Sequence, residues 1–464
     1  MEMTRHDIDC ERLLKRALAK GGDFAELYME QRSGTSIICE AHRIEKFMIT
    51  DESGFALRVV VGDRSAFAYT NDASSLDDLA DTVASAVRSG SFSGVISLER
   101  RSPVSVVLME TDPKRVDPTE KISLVRSAEA VAWGMDKSVM QVKVMYGDGA
   151  RTVFIANSLG FTAEDSRDSI IFVVQGIVAK DSLMETGYEP VGGSRGFELL
   201  AEVPPEEIAR RAIGRALSTI RARRAPAGTM PVVLASDAGG TMVHEAIGHG
   251  LEADLAGEGL SVYSGKMGRQ VASPAITVID DGTIRGLRGS LGCDDEGSPS
   301  QRSILVEKGV LKGFMTDLIT ARKFGLPLTG NARRESFRHR PICRMTNTII
   351  QPGDRKPDEI VRQAHSGIFV KKMGGGQVNT VTGDFVFNVA EGYLIENGEV
   401  GEPIRGATLI GNGPKILNSI ELVGNDLGYG IGTCGKDGQG VPVADAQPTL
   451  LIPEITVGGE IRDE

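Results

Sequence analysis

Met242-Val243-His244-Glu245-Ala246-Ile247-Gly248-His249-Gly250 holds two of only six histidines in 464 residues, and a carboxylate directly follows the first. In the helical motif His-Glu-x-x-His, two imidazoles four residues apart share one face and one metal ion, and the Glu serves as base. Here the spacing is five. Five steps of a regular α-helix at roughly 100° each leave the side chains about 140° apart, too far to share an ion. A single i→i+5 turn of the π type closes that gap, and such turns concentrate at functional sites. Gly248 and Gly250 flank His249 and make a local distortion inexpensive. The stretch therefore predicts a helix that is bulged or broken between Ile247 and His249.

The flanks suit the start of a helix. Val232-Val233-Leu234 reads as a short buried strand, Ser236 and Asp237 as capping residues, and Gly239-Gly240 as a tight turn. Val243, Ile247 and Leu251 repeat every four residues and mark the buried face. Two histidines do not complete a catalytic metal site, which wants three protein ligands and an open position. Candidates for the third are Cys434, Cys293, His339, His365, Glu252 and Asp254. Glu252 and Asp254 read as continuing the helix and pointing away. Cys434 differs in kind. It lies in Gly430-Ile431-Gly432-Thr433-Cys434-Gly435-Lys436-Asp437-Gly438, which reads as a glycine-rich loop with few apolar neighbours, and a thiolate beside Lys436 is a plausible soft ligand.

The run from His244 to Asp254 resembles the signature of the TldD/PmbA family, on its TldD side. So do Asp294-Asp295-Glu296-Gly297, Asn331-Ala332-Arg333-Arg334-Glu335-Ser336, His339-Arg340-Pro341, Arg344-Met345-Thr346-Asn347-Thr348 and Gly432-Thr433-Cys434-Gly435-Lys436. The resemblance runs over nearly the whole chain and is strongest from residue 229 onward. It implies a zinc metallopeptidase acting on unfolded or short peptides, with His244, His249 and Cys434 as zinc ligands. It also implies that Glu245 is the general base acting on a zinc-bound water. The family's partner is a second copy or a PmbA/TldE-type paralogue that lacks the zinc motif, so this chain resembles the catalytic subunit of a homodimer or heterodimer in the cytoplasm. The alternative is a non-enzymatic regulatory or adaptor protein in which the zinc is structural, with all four positions filled by protein.

Bulk composition is consistent with this. Apolar residues at 41% and charged residues at 25% are those of an ordinary globular protein, and the length allows two or three domains. A net charge of −11 argues against a nucleic-acid partner. Five scattered cysteines without a C-x-x-C pair fit a reducing compartment. Met1–Asp7 is charged and lacks the apolar core of a secretion signal, and the apolar run 170–174 is too short to span a bilayer.

Taken in order, the chain predicts an α+β protein. An N-terminal helix-and-antiparallel-sheet domain spans 1–222, and a β-rich, barrel-like domain carrying the zinc helix spans 229–464. Helices are expected at 8–20, after Ser74 or Ser75, after Asp117 with Pro118 in its first turn, and at about 205–223. Strands are expected within 24–70 and at about 138–146, 151–157 and 169–179. The order helix, strands, helix then occurs twice, which makes about 1–95 and 117–222 candidate related halves, with Ser53-Gly54-Phe55 and Leu159-Gly160-Phe161 in matching places. Beyond residue 229, Asp281-Gly282, Lys308-Gly309 and Asn397-Gly398 predict hairpins, and short helices are expected at 316–324, 356–365 and 413–421.

Three further features have competing readings. Gly430 to Lys436 nearly matches a phosphate loop, but Asp437 follows the Lys and Pro442 blocks a helix, which argues against a nucleotide. The segment Lys371–Gly376 reads as a loop, open to a substrate strand or merely connecting. The basic segment Arg333–Arg340 with His339 reads either as an anion or carboxylate site or as an internally paired loop. Asp294-Asp295-Glu296 reads as turn chemistry, Cys343 as strand packing and His365 as a helix end. No residue is assigned to substrate binding.

Overall fold

The computed structural model describes residues 8–87 and 90–459; Met1–Asp7, read above for a leader, lie outside them. The chain is mixed α and β, as expected, with a closed barrel in its C-terminal part.

A seven-stranded sheet forms first, with central order Arg64–Thr70, Arg43–Val61, Phe24–Glu40, Val139–Asn157 and Phe161–Lys180. Helices Cys10–Ala17 and Leu76–Ala86 cover one part of it through Leu13, Leu14, Leu79 and Val83. Helices Pro118–Gly134 and Pro205–Arg221 cover the other through Val125, Ala132, Ile208 and Ile213. The element order of helix, three long strands, helix does occur twice. The Ser-Gly-Phe and Leu-Gly-Phe match does not hold, because Gly54 lies mid-strand opposite Glu30 whereas Gly160 sits in a turn at φ +90°. The strand expected to break near residue 147 continues unbroken as Val139–Asn157. Gly147 and Gly149 resemble turn residues, yet here they lie within a paired strand. Gly34 faces Gly149, and a Cβ on Gly34 would lie 2.3 Å from the carbonyl oxygen of Asp148.

The barrel closes through five strands. Gly367–Val378 pairs with Gly228–Leu234, then come Leu450–Gly458, Thr408–Asn412 and Asp384–Glu396, which pairs back onto Gly367–Val378. The segment 371–376, expected as a loop, is therefore strand, interrupted by register shifts that its three glycines permit. The Lys308-Gly309 and Asn397-Gly398 hairpins form, with positive φ at all four residues, as a type I′ turn requires. Asp281-Gly282 does not make a hairpin: Val278–Asp281 instead pairs with Arg302–Glu307 and Asn347–Ile350.

Beside the barrel lies a six-stranded sheet that ends in the hairpin Gln439–Gln447 and Gly428–Lys436. The supposed glycine-rich loop around Cys434 is thus an edge strand, and Cys434 is buried in the main apolar cluster. Gly430 serves close approach rather than looping: a Cβ there would meet the Gly239 carbonyl at 2.3 Å.

Ion pairs join the first sheet to the later chain. Arg58 bridges Glu26 and Glu296, Arg334 reaches Glu26, and Arg167 bonds Asp295 at 2.6 Å, all but Arg167 fully buried. Asp294 does perform turn chemistry, accepting from the Glu296 and Ser298 amides, but Asp295 and Glu296 reach across to arginines of the sheet. Turn chemistry alone was too small a role for this acidic run.

Candidate metal centre

The barrel strand Gly228–Leu234 delivers the chain to Gly239 and Gly240, both left-handed at φ +80° and +78°. A helix begins at Thr241 and widens at once into a π turn over His244–Gly248, followed by a 3-10 turn over His249–Leu251. The distortion required by the five-residue spacing is therefore present. Val243, Ile247 and Leu251 are fully buried and fix the turn to the core, each contributing about 1.5–3 kcal/mol of transfer free energy. Tyr263 donates from its hydroxyl to the Ala246 carbonyl at 3.0 Å, and Gly413 packs so closely that a Cβ there would lie 2.6 Å from the same oxygen.

The two imidazoles face one sulfur. His244 Nε2 lies 3.2 Å and His249 Nε2 3.4 Å from Cys434 Sγ, the ring centroids are 4.9 Å apart and the rings are perpendicular. The three donor atoms lie within 4.8 Å of one another. The opposite nitrogen of each ring is held by a carboxylate: His244 Nδ1 by Asp445 at 2.8 Å, His249 Nδ1 by Glu252 at 3.0 Å. Each imidazole is therefore oriented with Nε2 inward, the outer support that metal-binding histidines ordinarily have. Two imidazoles and one thiolate are a donor set suited to zinc. The residues present fit that ion.

Glu252 corrects the expectation that it points away. The helix ends at Leu251, Glu252 turns extended at ψ 124°, and its carboxylate folds back beneath His249. Lys436 also departs from the expectation. Instead of facing Cys434, it bonds Glu252 at 3.0 Å, Asp254 at 2.7 Å and the Cys343 carbonyl at 3.0 Å. Burial raises the Glu252 carboxyl, but His249 and Lys436 outweigh it and hold the group down to about 2. Burial alone likewise raises the Cys434 thiol, while hydrogen bonds from His244 and His249 bring it down to about 5.

Glu245 is half-buried next to this cluster, and burial pushes its carboxyl above the usual range against the pull of the two histidines. Of the other candidates, Cys293 is buried in an apolar cluster, His339 bonds Ser336 Oγ at 3.0 Å, and His365 ends a helix at φ +59°. Cys343 packs in a strand and bonds the Met315 carbonyl, as expected. Asp445 went unnoticed in the sequence, since a single carboxylate in the apolar run 441–446 carries no motif. No signal in the sequence marks it, since it is itself buried within a strand that is buried over most of its length.

Comparison with known proteins gives the family of the chain. Residues 25–90, 111–220 and 227–459 match the models of domain 1, the central domain and the C-terminal domain of the PmbA/TldA metallopeptidases. A metalloprotease TldD homolog of Haemophilus influenzae is 37% identical over 94% of this chain and 93% of its own length. A metalloprotease of Methanothermobacter thermautotrophicus is 35% identical over 93% of this chain and 95% of its own. A zinc metalloprotease TldD homolog of Saccharolobus solfataricus is 35% identical over 53% of this chain and 55% of its own. Two solved structures share the fold. TldE of Thermococcus kodakarensis has a TM-score of 0.75 at 18% identity, covering 97% of this chain and 99% of that one. A Thermotoga maritima protein described as a DNA gyrase modulator has 0.76 at 23%, covering 94% and 96%. With domain models matched from residue 25 to residue 459, and with relatives of that name aligned nearly end to end, the chain belongs to the PmbA/TldD family of metallopeptidases.

Proposed function

We propose that the protein is a zinc peptidase of unfolded or short peptides, with His244, His249 and Cys434 as the ligands and Glu245 as the general base. One observation carries this reading: two ring nitrogens and a thiol sulfur converge within 4.8 Å, with the Glu245 carboxylate next in sequence to one of them. When bound, zinc supplies Lewis acidity toward a water and toward the scissile carbonyl. Asp445 and Glu252 keep both imidazoles in one tautomer and orientation. Glu245 takes the water's proton on its carboxylate and gives it to the departing amine nitrogen. Among the described residues no fourth donor joins the cluster, which favours a catalytic site over the closed, four-ligand structural zinc of an adaptor.

Around this chemistry we place a cytoplasmic enzyme that acts as a homodimer or with a PmbA/TldE-type paralogue; the likeness of its fold to TldE of Thermococcus kodakarensis supports that partnership. No helix among the described residues is long and apolar enough to cross a membrane. We divide the chain into 1–222 and 229–464, a division supported by strand membership, since the first sheet draws only on residues before 222.

The test is Glu245→Ala beside the parent protein. The variant is expected to hold one zinc, keep its circular dichroism and lose cleavage of an unfolded peptide by at least about 100-fold, the lower range for a general base. Undiminished cleavage by the variant, or a parent protein that takes up no zinc, overturns the assignment.

A further inference from the structure

A cavity of about 370 Å³ lies between the first sheet and the hairpin that carries Cys434. That is the small end of the roughly 300–1,000 Å³ that ligand pockets span. Six arginines line it. Four are neutralised: Arg32 by Glu52, Arg151 by Glu30, Arg167 by Asp165 and Asp295, and Arg334 by Glu26. Arg288 and Arg333 are not. Among the described residues their hydrogen-bond partners are main-chain carbonyls: Gly432 for Arg288 at 3.2 Å, and Met345 and Pro442 for Arg333 at 2.5 and 2.7 Å. A buried cation with no carboxylate in contact is costly, and burial pushes the Arg333 guanidinium down to about 9 against the pull of the more distant Asp295 and Asp280. Arg334 and Arg151 add buried nitrogens with no acceptor, Nε and Nη1 of the first and Nε of the second. Asp168 also lines the cavity, without an ion-pair partner among the described residues, and burial pushes it toward its neutral form. The cavity therefore holds more donors and positive charge than the protein itself satisfies.

Its position ties it to the metal centre. Val441 and Pro442 form part of the wall, and they are the register partners of Cys434 and Thr433. Gly432, which Arg288 grips, precedes Cys434 by two residues, about 7 Å along a strand. We propose that Arg288 and Arg333 form a carboxylate anchor for the peptide substrate, setting the cut a residue or two from the anchored group. The anchor rests on the peptidase reading above and names what that site selects. Planar, two-pronged guanidinium groups suit a carboxylate better than a lysine would. The carboxylate is either the α-carboxylate of the peptide's C-terminus or an acidic side chain.

The experiment compares matched N-terminally labelled peptides: a free acid, its C-terminal amide, and the amide with Asp near the C-terminus. Cleavage is followed in the zinc-loaded protein, and equilibrium binding by anisotropy in the zinc-loaded Glu245→Gln variant. Loss of one charge-assisted pair lowers affinity about 10- to 100-fold. The free acid is expected to exceed the plain amide by that factor in both assays, and Arg288→Met to shrink the advantage to within about 3-fold, with Arg288→Lys retaining part of it. Recovery by the Asp-bearing amide assigns the anchor to side chains; no recovery assigns it to the C-terminus. Equal binding and cleavage of all peptides overturns the anchor, as does a preference that Arg288→Met leaves intact. Selective binding without cleavage of any peptide keeps the anchor and removes the peptidase chemistry.

Discussion

Replacing Asp445 tests the metal centre without touching a ligand. Asp445 accepts from His244 Nδ1 at 2.8 Å, and His244 is only 6% exposed, so no bulk water is available to replace the carboxylate. A hydrogen bond to a charged partner contributes about 1.5–3 kcal/mol, and a buried donor left unpaired costs about the same. At 1.4 kcal/mol per tenfold, Asp445→Ala should weaken zinc binding about 10- to 150-fold. Asp445→Asn keeps an acceptor in place but removes the charge, so it should fall between parent and Ala. The assay is competition for zinc against a chelator of known affinity, with circular dichroism to show that the fold survives. Glu252→Gln gives an internal comparison: it supports the other imidazole, and Lys436 loses a partner at the same time. Zinc affinity within about 3-fold of the parent in Asp445→Ala would mean that the imidazole needs no outer support, and the reasoning fails.

Other expectations follow from the same geometry. Gly240→Ala should destabilise the protein by about 2–4 kcal/mol, because it combines a left-handed φ of +78° with a Cβ 2.6 Å from the Ala446 amide; urea unfolding reads this. Removing zinc with a chelator should abolish cleavage yet leave secondary structure intact, since the ligands sit in a large apolar cluster; re-adding zinc to about 100 times its dissociation constant should restore about 2.7 kcal/mol. Asp295 bears on acid stability. Burial raises its carboxyl, but Arg167, Arg151 and Arg334 outweigh this and hold it at about 2, against an unfolded value near 3.8. A depressed folded value stabilises above the unfolded pKa and is lost as pH falls through the folded one, so about 2 kcal/mol should disappear between pH 4 and pH 2. Asp295→Asn should lack that step in unfolding curves across the range.

How far the sequence could be read follows from what kind of interaction fixes each part. Helices at Pro118–Gly134 and Pro205–Arg221 announced themselves through local signals: proline in the first turn, acidic residues beside it and a four-residue apolar repeat. The Lys308-Gly309 and Asn397-Gly398 hairpins did likewise, since a two-residue loop determines its own pairing. Asp281-Gly282 carried the same local signal and misled, because Val278–Asp281 is claimed by two distant strands. Gly147, Gly149, Gly430 and Gly432 misled in the opposite way, since each is a paired strand residue rather than part of a turn. For Gly430 the reason lies far back in the chain, in the Gly239 backbone that packs against it.

The site divides along the same line. The π turn was legible because it follows from arithmetic: two histidines five apart either diverge or the helix widens, and Val243, Ile247 and Leu251 require that whatever forms stay packed on one side. Cys434 was legible as a candidate by its chemistry but not by its structure; it is a buried strand residue rather than a loop thiol. Asp445 was invisible, since its role exists only because antiparallel pairing sets Gln439–Gln447 beside the cysteine strand and Gly240 packs against Asp445. The wrong reading of Glu252 follows from the right reading of the turn. If the helix must be distorted to bring His249 round, the regular continuation that would have turned Glu252 outward is lost with it. The same break that aims the second imidazole inward also lets the chain fold its carboxylate back beneath that ring.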